Sequence, residues 1–367
     1  MTASSRPLIA LAAGGTGGHV FPAVAVAEAL ARRGADTMMM TDRRGARLLA
    51  GTSFSVLPAG SPFQRGLLRK ARAALQLGTG VIMALAMLRR RRPAAMVGFG
   101  GYPSFAPMLA ARMTGIPAVL HEQNAHLGRA NHLLARWCGH LALSWTGTRN
   151  LPEKVMHFVA GMPVRAAFLD IGGLPAGNRD RFELTVVGGS LGAAVFATIV
   201  PDALAQIDPA LRARLHVTQQ CRAEQADMLE ARYAEVGIEA EIRTFFDDMP
   251  DRLAKSDLMI SRAGASSVAE LAASGRPAIL IPFAGAMDDH QTANARQLEA
   301  AGGAVCLAEA ELDAAARAAR VTALLSDPAG LAAMGRGGRG LAAADAADTI
   351  AGYALDLATG SDSRSAR

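Results

Sequence analysis

Cysteine is scarce in this sequence, and the three cysteines that occur are far apart. Cys138, Cys221 and Cys306 form no C-x-x-C pair and have no cluster of histidines nearby. The sequence therefore predicts neither disulfides nor a structural metal site, and it favours a reducing compartment. The segment Met1–Pro7 lacks the basic region, long apolar stretch and cleavage site of a signal peptide, so we expect a cytoplasmic protein.

Aromatic residues are also few, at 5% of the chain, whereas 51% of the 367 residues are hydrophobic. Alanine, leucine, valine and glycine dominate, and this composition suits helices packed closely on a parallel sheet better than a β-sandwich. A chain of this length exceeds the size at which one core usually stops growing. We therefore expect an α/β protein with two domains.

Acidic residues are absent from Arg43 to His121, although this segment holds 12 of the 38 lysines and arginines. The other 26 basic residues are outnumbered by 32 acidic ones, so the net charge of +6 comes from this one basic segment. An anionic membrane surface is the favoured partner, with a solvated structural face and nucleic acid as alternatives. Nucleic acid is disfavoured because the segment has no interleaved aromatics and no recognisable RNA or DNA module.

An apolar run inside the basic segment, Val81–Leu88, ends at four consecutive arginines. The run is far shorter than the ~20 residues that a bilayer requires, so we expect a core helix or an interfacial helix rather than a membrane span. The residues predicted to face the membrane are Leu67, Leu68, Arg69, Lys70, Arg72, Leu75, Val81, Ile82, Leu85, Arg89, Arg90, Arg91 and Arg92.

A glycine-rich turn, Gly14–His19, separates an apolar run typical of a strand from a run typical of a helix. Glycines bring backbone N–H groups close to a ligand, and a helix N-terminus adds partial positive charge. The turn therefore predicts a site for a phosphate or a polar sugar, with a tight β–α connection as the alternative interpretation. It lacks the third glycine of a dinucleotide fingerprint and the G-K-[ST] ending of a P-loop, so hydride transfer and NTP hydrolysis are disfavoured.

The chain starts the same pattern again at Leu184–Ala193, after a Gly- and Pro-containing linker at 172–180. We expect domains at 1–164 and 165–344, a helix at about 345–358 that returns to the first domain, and a disordered tail at 359–367. Beyond the two runs that precede the glycine turns, the predicted strands are Thr37–Thr41, Met96–Gly98, Ala118–His121, His140–Ser144, His216–Thr218, Glu241–Thr244, Leu258–Ile260 and Ala278–Ile281.

Two polar segments of the second half follow predicted strands. Ser261–Glu270 offers helix N-terminal amides that could hold a diphosphate, and Glu270 could accept hydrogen bonds from a ribose diol. A glutamate near a helix start is also favoured by the helix dipole alone. In the loop that follows Ala278–Ile281, Gln291 and Asn294 are suited to sugar hydroxyls.

Six motifs together resemble those of the MurG family of peptidoglycan glycosyltransferases. They are GGTGGHVFP at 14–22, GGYPS at 100–104, HEQN at 121–124, GGSLGA at 188–193, and the segments 261–271 and 289–295. The resemblance implies the GT-B fold, with two Rossmann-like, doubly wound parallel-sheet domains that face each other across a cleft. It also implies transfer of N-acetylglucosamine from UDP-GlcNAc to the C4 hydroxyl of MurNAc in undecaprenyl-linked lipid I, forming lipid II. Inversion at the anomeric carbon without metal or cofactor is implied as well, and the sequence has no D-x-D motif.

The resemblance also implies site residues at matching positions. His19 is the predicted general base, because a pKa near 6.5 suits proton transfer at neutral pH, and His121 and Glu122 are weaker acid/base candidates. The implied UDP-GlcNAc contacts are Thr16, Gly17, Gly18, Asn124, Arg165, Ser190, Phe246, Ala265, Ser266, Ser267, Val268, Ala269, Glu270 and Gln291, with the Phe246 contact running through its backbone. Asn294 joins the predicted UDP-GlcNAc contacts because its amide suits sugar hydroxyls.

A lipid-linked acceptor would explain the basic segment, because the acceptor stays in the membrane and the enzyme must bind the membrane surface to reach it. The resemblance thus implies a peripheral protein on the cytoplasmic face of the inner membrane, with UDP-GlcNAc, lipid I, an anionic lipid surface and cell-wall synthesis proteins as partners. Alternative functions are a UDP-GlcNAc 2-epimerase, a diacylglycerol glycosyltransferase and a non-enzymatic UDP-sugar sensor. The epimerase would need no lipid-facing surface, and the presence of His19, His121 and Glu122 argues against the sensor.

Overall fold

The computed structural model describes residues 6–49, 53–60, 66–173, 180–189, 192–309 and 313–360. The chain divides into two compact units, each described here by itself. The first unit comprises Met1–Arg165 and Ala343–Arg367, and the second comprises Ala166–Ala342.

The first unit alternates strands and helices. Its elements before the crossing to the second unit are β1 (Leu8–Ala12), α1 (Gly17–Arg32), β2 (Asp36–Thr41), α2 (Arg43–Ala46), β3 (Phe54–Val56), α3 (Leu67–Arg91), β4 (Ala95–Gly98), α4 (Gly101–Thr114), β5 (Ala118–Glu122), α5 (Arg129–Cys138), β6 (His140–Leu143) and β7 (Met156–Val159). The seven strands form one parallel sheet in the order β3-β2-β1-β4-β5-β6-β7.

The second unit repeats this plan. Its elements are α6 (Ala166–Leu169), β8 (Phe182–Val187), α7 (Phe196–Leu204), α8 (Pro209–Arg212), β9 (Leu215–Gln220), α9 (Ala226–Glu235), β10 (Glu239–Arg243), α10 (Met249–Lys255), β11 (Leu258–Ser261), α11 (Ala265–Ser274), β12 (Ala278–Leu280), α12 (His290–Ala300), β13 (Ala304–Cys306), α13 (Ala314–Leu325) and α14 (Pro328–Leu341). The parallel sheet has the order β10-β9-β8-β11-β12-β13, so both sheets carry the crossover of a doubly wound fold. The predicted fold class is confirmed.

The last helix, α15 (Ala346–Thr359), belongs to the first unit and packs against α1. Asp348 on α15 pairs with Arg32 and Arg33 of α1, with N–O distances of 2.9 and 3.3 Å. The prediction that the tail starts at residue 359 is wrong by one position, because Thr359 still ends the helix. Residues 361–367 lie outside the described residues.

Strand β1 shows how one sheet feeds two cores. Ile9 and Leu11 point to the side covered by α1 and α15, whereas Ala10 and Ala12 point to the side covered by α3, α4 and α5. All four side chains are fully buried, as the period of two along a central strand requires. The small alanines allow α4 to lie close enough for Ser104 to reach the Ala12 carbonyl oxygen at 2.7 Å.

Three strands were missed by the sequence analysis, and all three lie at sheet edges. They are β3, β7 and β13, of three or four residues each. An edge strand is buried less than a central one and therefore needs no continuous apolar run. Phe54–Val56 and Met156–Val159 are indeed half-buried or exposed throughout.

Helix α3 is longer than the apolar run within it, because it continues through Gly78 and Gly80 for 25 residues. Among the described residues, α3 is the one helix that is long and apolar enough to cross a membrane. The prediction that this segment is too short to span a bilayer is therefore wrong, because the helix extends well beyond the run Val81–Leu88. The core helices of proteins outside membranes can have the same length and composition, so these two properties alone do not identify a membrane span. One stripe of α3, with Ala73, Ala84 and Leu88, is buried, and Ala84 and Leu88 lie in the core beside α4.

Candidate functional site

The first glycine turn is held from the neighbouring strand. Gly15 takes a φ of +83°, a conformation that favours glycine, and its N–H donates to the Asp42 carboxylate at 2.8 Å. The Thr16 N–H donates back to the Gly14 carbonyl oxygen at 3.1 Å. No described residue accepts from the amides of Gly17 or Gly18, the first two residues of α1. The turn therefore offers a ligand these two amides at a helix N-terminus.

His19 lies on the first turn of α1, half-buried, beside a second glycine turn. Its Nδ1 is 3.3 Å from the Thr16 hydroxyl, and its Nε2 is 3.6 Å from the position that a β-carbon would take on Gly101. Gly100 and Gly101 both have positive φ, and Ser104 fastens this turn by a 2.7 Å contact to the Gly100 carbonyl oxygen. The imidazole thus stands between the two turns that follow β1 and β4.

Glu122 is buried at the end of β5 and accepts four hydrogen bonds. Oε1 accepts from the backbone and side-chain amides of Asn124 at 2.9 and 3.0 Å. Oε2 accepts from the Gly128 N–H and the Asn131 side-chain amide, both at 3.0 Å. The carboxylate is therefore used to shape the loop that carries Asn124 and leads into α5.

His121 is also enclosed, with no exposed surface. Its Nδ1 accepts from the Gln123 amide at 3.1 Å, so its Nε2 carries the proton and lies 3.1 Å from both the Gly161 carbonyl oxygen and the Ser144 hydroxyl. Burial lowers the pKa of His121 to about 4, although the Gly161 hydrogen bond acts in the opposite direction. Both ring nitrogens are thus occupied within the first unit, and the ring is neutral at neutral pH.

Arg165, at the end of the first unit, stacks on Phe21 of α1 with the guanidinium carbon 4.5 Å from the ring centroid. Phe21 in turn covers Gly17, where a β-carbon would come within 2.6 Å of the ring. Two predicted donor contacts, Arg165 and Gly17, therefore lie against the same aromatic side chain.

In the second unit, the turn between β11 and α11 also leads from the end of a parallel strand into a helix. Gly264 caps the helix without a side-chain hydrogen bond, and no described residue accepts from the amides of Ala265, Ser266 or Ser267. Glu270 is half-buried further along this helix, and Val268 and Ala269 are buried, so these last two contribute packing.

Gln291 bridges two strand ends near this helix. Its Oε1 accepts from the N–H groups of Ala263 and Phe283 at 3.3 and 3.0 Å, and no described residue accepts from its Nε2. Asn294, one turn later on α12, is fully buried and donates to the Ala263 carbonyl oxygen at 3.2 Å. The Gln291 Nε2 thus has no described acceptor, whereas the Asn294 side-chain amide supports the Ala263 turn.

Arg262, which the sequence analysis did not single out, is a buried residue beside the turn that precedes α11. It is buried after β11, donates to the carbonyl oxygens of Ile281 and Pro282, and pairs with Glu309 at 2.6 Å. It also stacks on the Phe196 ring at 4.8 Å. The side chain therefore joins the ends of β11, β12 and β13. Its place directly after a buried strand, two residues before the glycine of a strand–turn–helix motif, was the available signal.

Of the remaining predicted UDP-GlcNAc contacts, Phe246 lies within the described residues and Ser190 does not. Phe246 is buried, and Arg252 lies over its ring at 4.4 Å while it also pairs with Glu241 and Asp248. Ser190 lies outside the described residues. No group of three His, Cys, Asp or Glu that could hold a metal occurs in the described part of the chain.

Two family models match successive parts of the chain. The N-terminal domain of glycosyltransferase family 28 matches residues 9–142, and the C-terminal domain of the same family matches residues 183–350. Two Rossmann-like units, each with strand–turn–helix sites at the carboxyl ends of parallel strands, define a sugar-transferring enzyme of the GT-B class.

Individual relatives narrow this class. Proteins named UDP-N-acetylglucosamine–N-acetylmuramyl-(pentapeptide) pyrophosphoryl-undecaprenol N-acetylglucosamine transferase are similar over nearly their whole length. One from Granulibacter bethesdensis is 47% identical, covering 95% of this chain and 94% of its own. Another from Paramagnetospirillum magneticum is 45% identical, covering 96% and 98%. The crystal structure of Acinetobacter baumannii MurG matches with a TM-score of 0.76 at 29% identity, over 96% and 99% of the two chains. The chain belongs to the MurG family of glycosyltransferases.

A UDP-N-acetylglucosamine 2-epimerase structure has a TM-score of 0.69 at 12% identity, which reflects a shared fold alone.

Proposed function

We propose that this protein transfers N-acetylglucosamine from UDP-GlcNAc to the C4 hydroxyl of MurNAc in undecaprenyl-linked lipid I and so forms lipid II. The observation that carries this proposal is the 47% identity, over nearly full length, with an enzyme named for that transfer. The epimerase, the diacylglycerol glycosyltransferase and the UDP-sugar sensor have no comparable support.

The donor contacts proposed for the second unit rest on α11. Its open amides at Ala265–Ser267 would stabilise the diphosphate, and Glu270 would accept from the ribose hydroxyls. The Gln291 Nε2 would donate to a sugar hydroxyl. Backbone amides at a helix N-terminus supply positive charge without a metal, and one well-placed donor is worth roughly 3 kcal/mol of barrier.

His19 is the proposed general base. Its Nε2 would take the proton from the acceptor hydroxyl as that oxygen attacks the anomeric carbon, and the bond from that carbon to UDP breaks from the opposite face. Thr16 beside Nδ1 orients the ring. This single displacement inverts the configuration at the anomeric carbon.

For His121 and Glu122 we propose positioning roles. Their nitrogens and carboxylate oxygens already contact groups of the first unit, which include the Gly161 carbonyl and the Asn124 amide. A group that serves as base must reach the proton it takes, and these two side chains are enclosed by the protein.

The exposed side of α3 is the proposed membrane surface. Leu68, Leu75 and Ile82 recur every seven residues and are 88%, 72% and 69% exposed, and basic residues flank this row at both helix ends. Val81 and Leu85 are half-buried, and the Leu67 side chain lies outside the described part of the structure.

Trp137 and Leu133 of α5 add exposed apolar surface in the same unit. This surface suits peripheral attachment to an anionic leaflet, at the cytoplasmic side of the inner membrane. Cell-wall synthesis proteins remain proposed partners.

The test is transfer of labelled sugar from UDP-GlcNAc to a short-chain lipid I analogue, with EDTA present and diacylglycerol as a parallel acceptor. We expect labelled disaccharide-lipid and no labelled diacylglycerol. Binding of UDP without any transfer to lipid I would contradict the proposal.

A further inference from the structure

An arginine of α2, the short helix that follows β2, lies over the first glycine turn. The Nη2 atom of Arg44 is 3.4 Å, and its guanidinium carbon 3.9 Å, from the position that a β-carbon would take on Gly15. Because Gly15 has a φ of +83° and no side chain, the guanidinium can rest directly on its backbone.

A buried carboxylate fixes this arrangement. Asp42 Oδ1 accepts from the N–H groups of Gly15 and Gly45, both at 2.8 Å, and Oδ2 accepts from the Arg44 Nε at 3.3 Å. The Asp42 side chain is 10% exposed, whereas that of Arg44 is 69% exposed. The same carboxylate therefore positions both the turn and the arginine above it.

The rest of the guanidinium is available to a ligand. Neither Nη1 nor Nη2 of Arg44 donates to any described residue. Asp42 is the last acid before Glu122 in the sequence, and its oxygens are already occupied by two amides and one Nε. The open amides of Gly17 and Gly18 belong to the same turn.

We propose that Arg44 is a substrate-binding residue that contacts a diphosphate at the first glycine turn. This inference rests on the proposed function, in which both substrates carry a diphosphate. A guanidinium group can donate to two phosphate oxygens at once. Only the Nε of Arg44 donates to Asp42, so both Nη atoms are left for the phosphate oxygens. The diphosphate belongs to either the nucleotide donor or the lipid-linked acceptor, and binding measurements separate the two.

The experiment compares Arg44→Gln, Arg44→Lys and the matched control Arg47→Gln in the full-length protein. Arg47 ends the same short helix, is exposed, and has no described contact with the turn. The KM for each substrate and kcat are measured at low and high salt, and UDP affinity is measured by calorimetry. We expect Arg44→Gln to raise the KM for one substrate roughly tenfold, with kcat little changed. Arg44→Lys should raise the same KM by less, and Arg47→Gln should have the KM values of wild type. The effect should shrink as salt rises.

The two sources of diphosphate give different results. A weaker UDP affinity together with a raised UDP-GlcNAc KM identifies the donor, and a raised acceptor KM with unchanged UDP affinity identifies the acceptor. If neither KM rises beyond that of Arg47→Gln in an active enzyme, the inference is overturned. A wild-type protein that does not transfer sugar would instead overturn the proposed function.

Asp42→Asn keeps an acceptor for the two amides but removes the charge opposite Arg44. We expect it to raise the same KM by less than Arg44→Gln does. A rise with Asp42→Asn and none with Arg44→Gln would attribute the effect to the shape of the turn and overturn the role of Arg44.

Discussion

The two units differ in how their arginines are neutralised. In the second unit, Arg252 pairs with Glu241 and Asp248, and Arg262 pairs with Glu309. In the first unit, Arg89, Arg90 and Arg91 at the end of α3, and Arg92 directly after it, form no ion pair with a described acid. Paired arginines hold strands and loops together, whereas the positive charge of unpaired arginines can attract an anionic partner. The first unit also contains paired arginines, such as Arg32 and Arg33 with Asp348, so the contrast concerns the end of α3, where charge stays available at the surface.

The largest expected effect separates the chemical step from donor binding. His19→Ala should lower kcat by about 10²–10⁴-fold, because the acceptor hydroxyl loses its base, while UDP affinity measured by calorimetry stays near wild type. His157→Ala, at an exposed position of β7, serves as the control. A turnover near that of wild type would show that the base lies elsewhere.

The contrast between unpaired and paired arginines can be tested on anionic vesicles. Exchange of Arg89, Arg90, Arg91 and Arg92 for glutamine should weaken binding by up to about 4 kcal/mol, since each charge near the leaflet contributes about 1 kcal/mol. The matched variant exchanges Arg181, Arg232, Arg243 and Arg296, which pair with acids of the second unit. Co-sedimentation should distinguish the two variants, and equal losses would remove the contrast.

Burial of His121 predicts a loss of stability in acid. In the folded protein the pKa is lowered to about 4, whereas the unfolded chain titrates near 6.5, so the unfolded chain binds the extra proton. The free energy of unfolding should therefore fall as the pH drops from about 6.5 to about 4, by about 3 kcal/mol from this ring.

Urea unfolding at several pH values measures this effect. His121→Gln should flatten the dependence in that window, whereas His157→Gln, at an exposed position of β7, should leave it as in wild type. The same slope in both variants would mean that another group carries the titration.

The smallest expected effect concerns the second unit. Glu270→Ala should weaken UDP and uridine to a similar extent, by about tenfold, because both ligands carry the ribose diol. Glu235→Gln on α9 is the matched control, and calorimetry is the measurement. An affinity for UDP equal to that of wild type would exclude the ribose role of Glu270.

The sequence by itself determined the class of fold and the places where ligands meet the chain. Central strands such as Leu8–Ala12 and Leu258–Ser261 are buried on both faces, and their apolar runs are therefore visible without a structure. Glycine turns are equally visible, because few other residues adopt their backbone conformations. The motifs placed on these turns led to the family that the comparisons confirm.

Tertiary structure decided which polar residues are open to a ligand and which are enclosed. The motif HEQN looks the same in the sequence whether its side chains face a substrate or the core, and only the packing of the neighbouring strands encloses His121 and Glu122. The same holds for Arg44, which reaches Gly15 because β2 pairs with β1, and for Arg262, which joins three strand ends. Local sequence specifies backbone preferences and apolar periodicity, whereas burial and contact partners arise from residues that are distant along the chain.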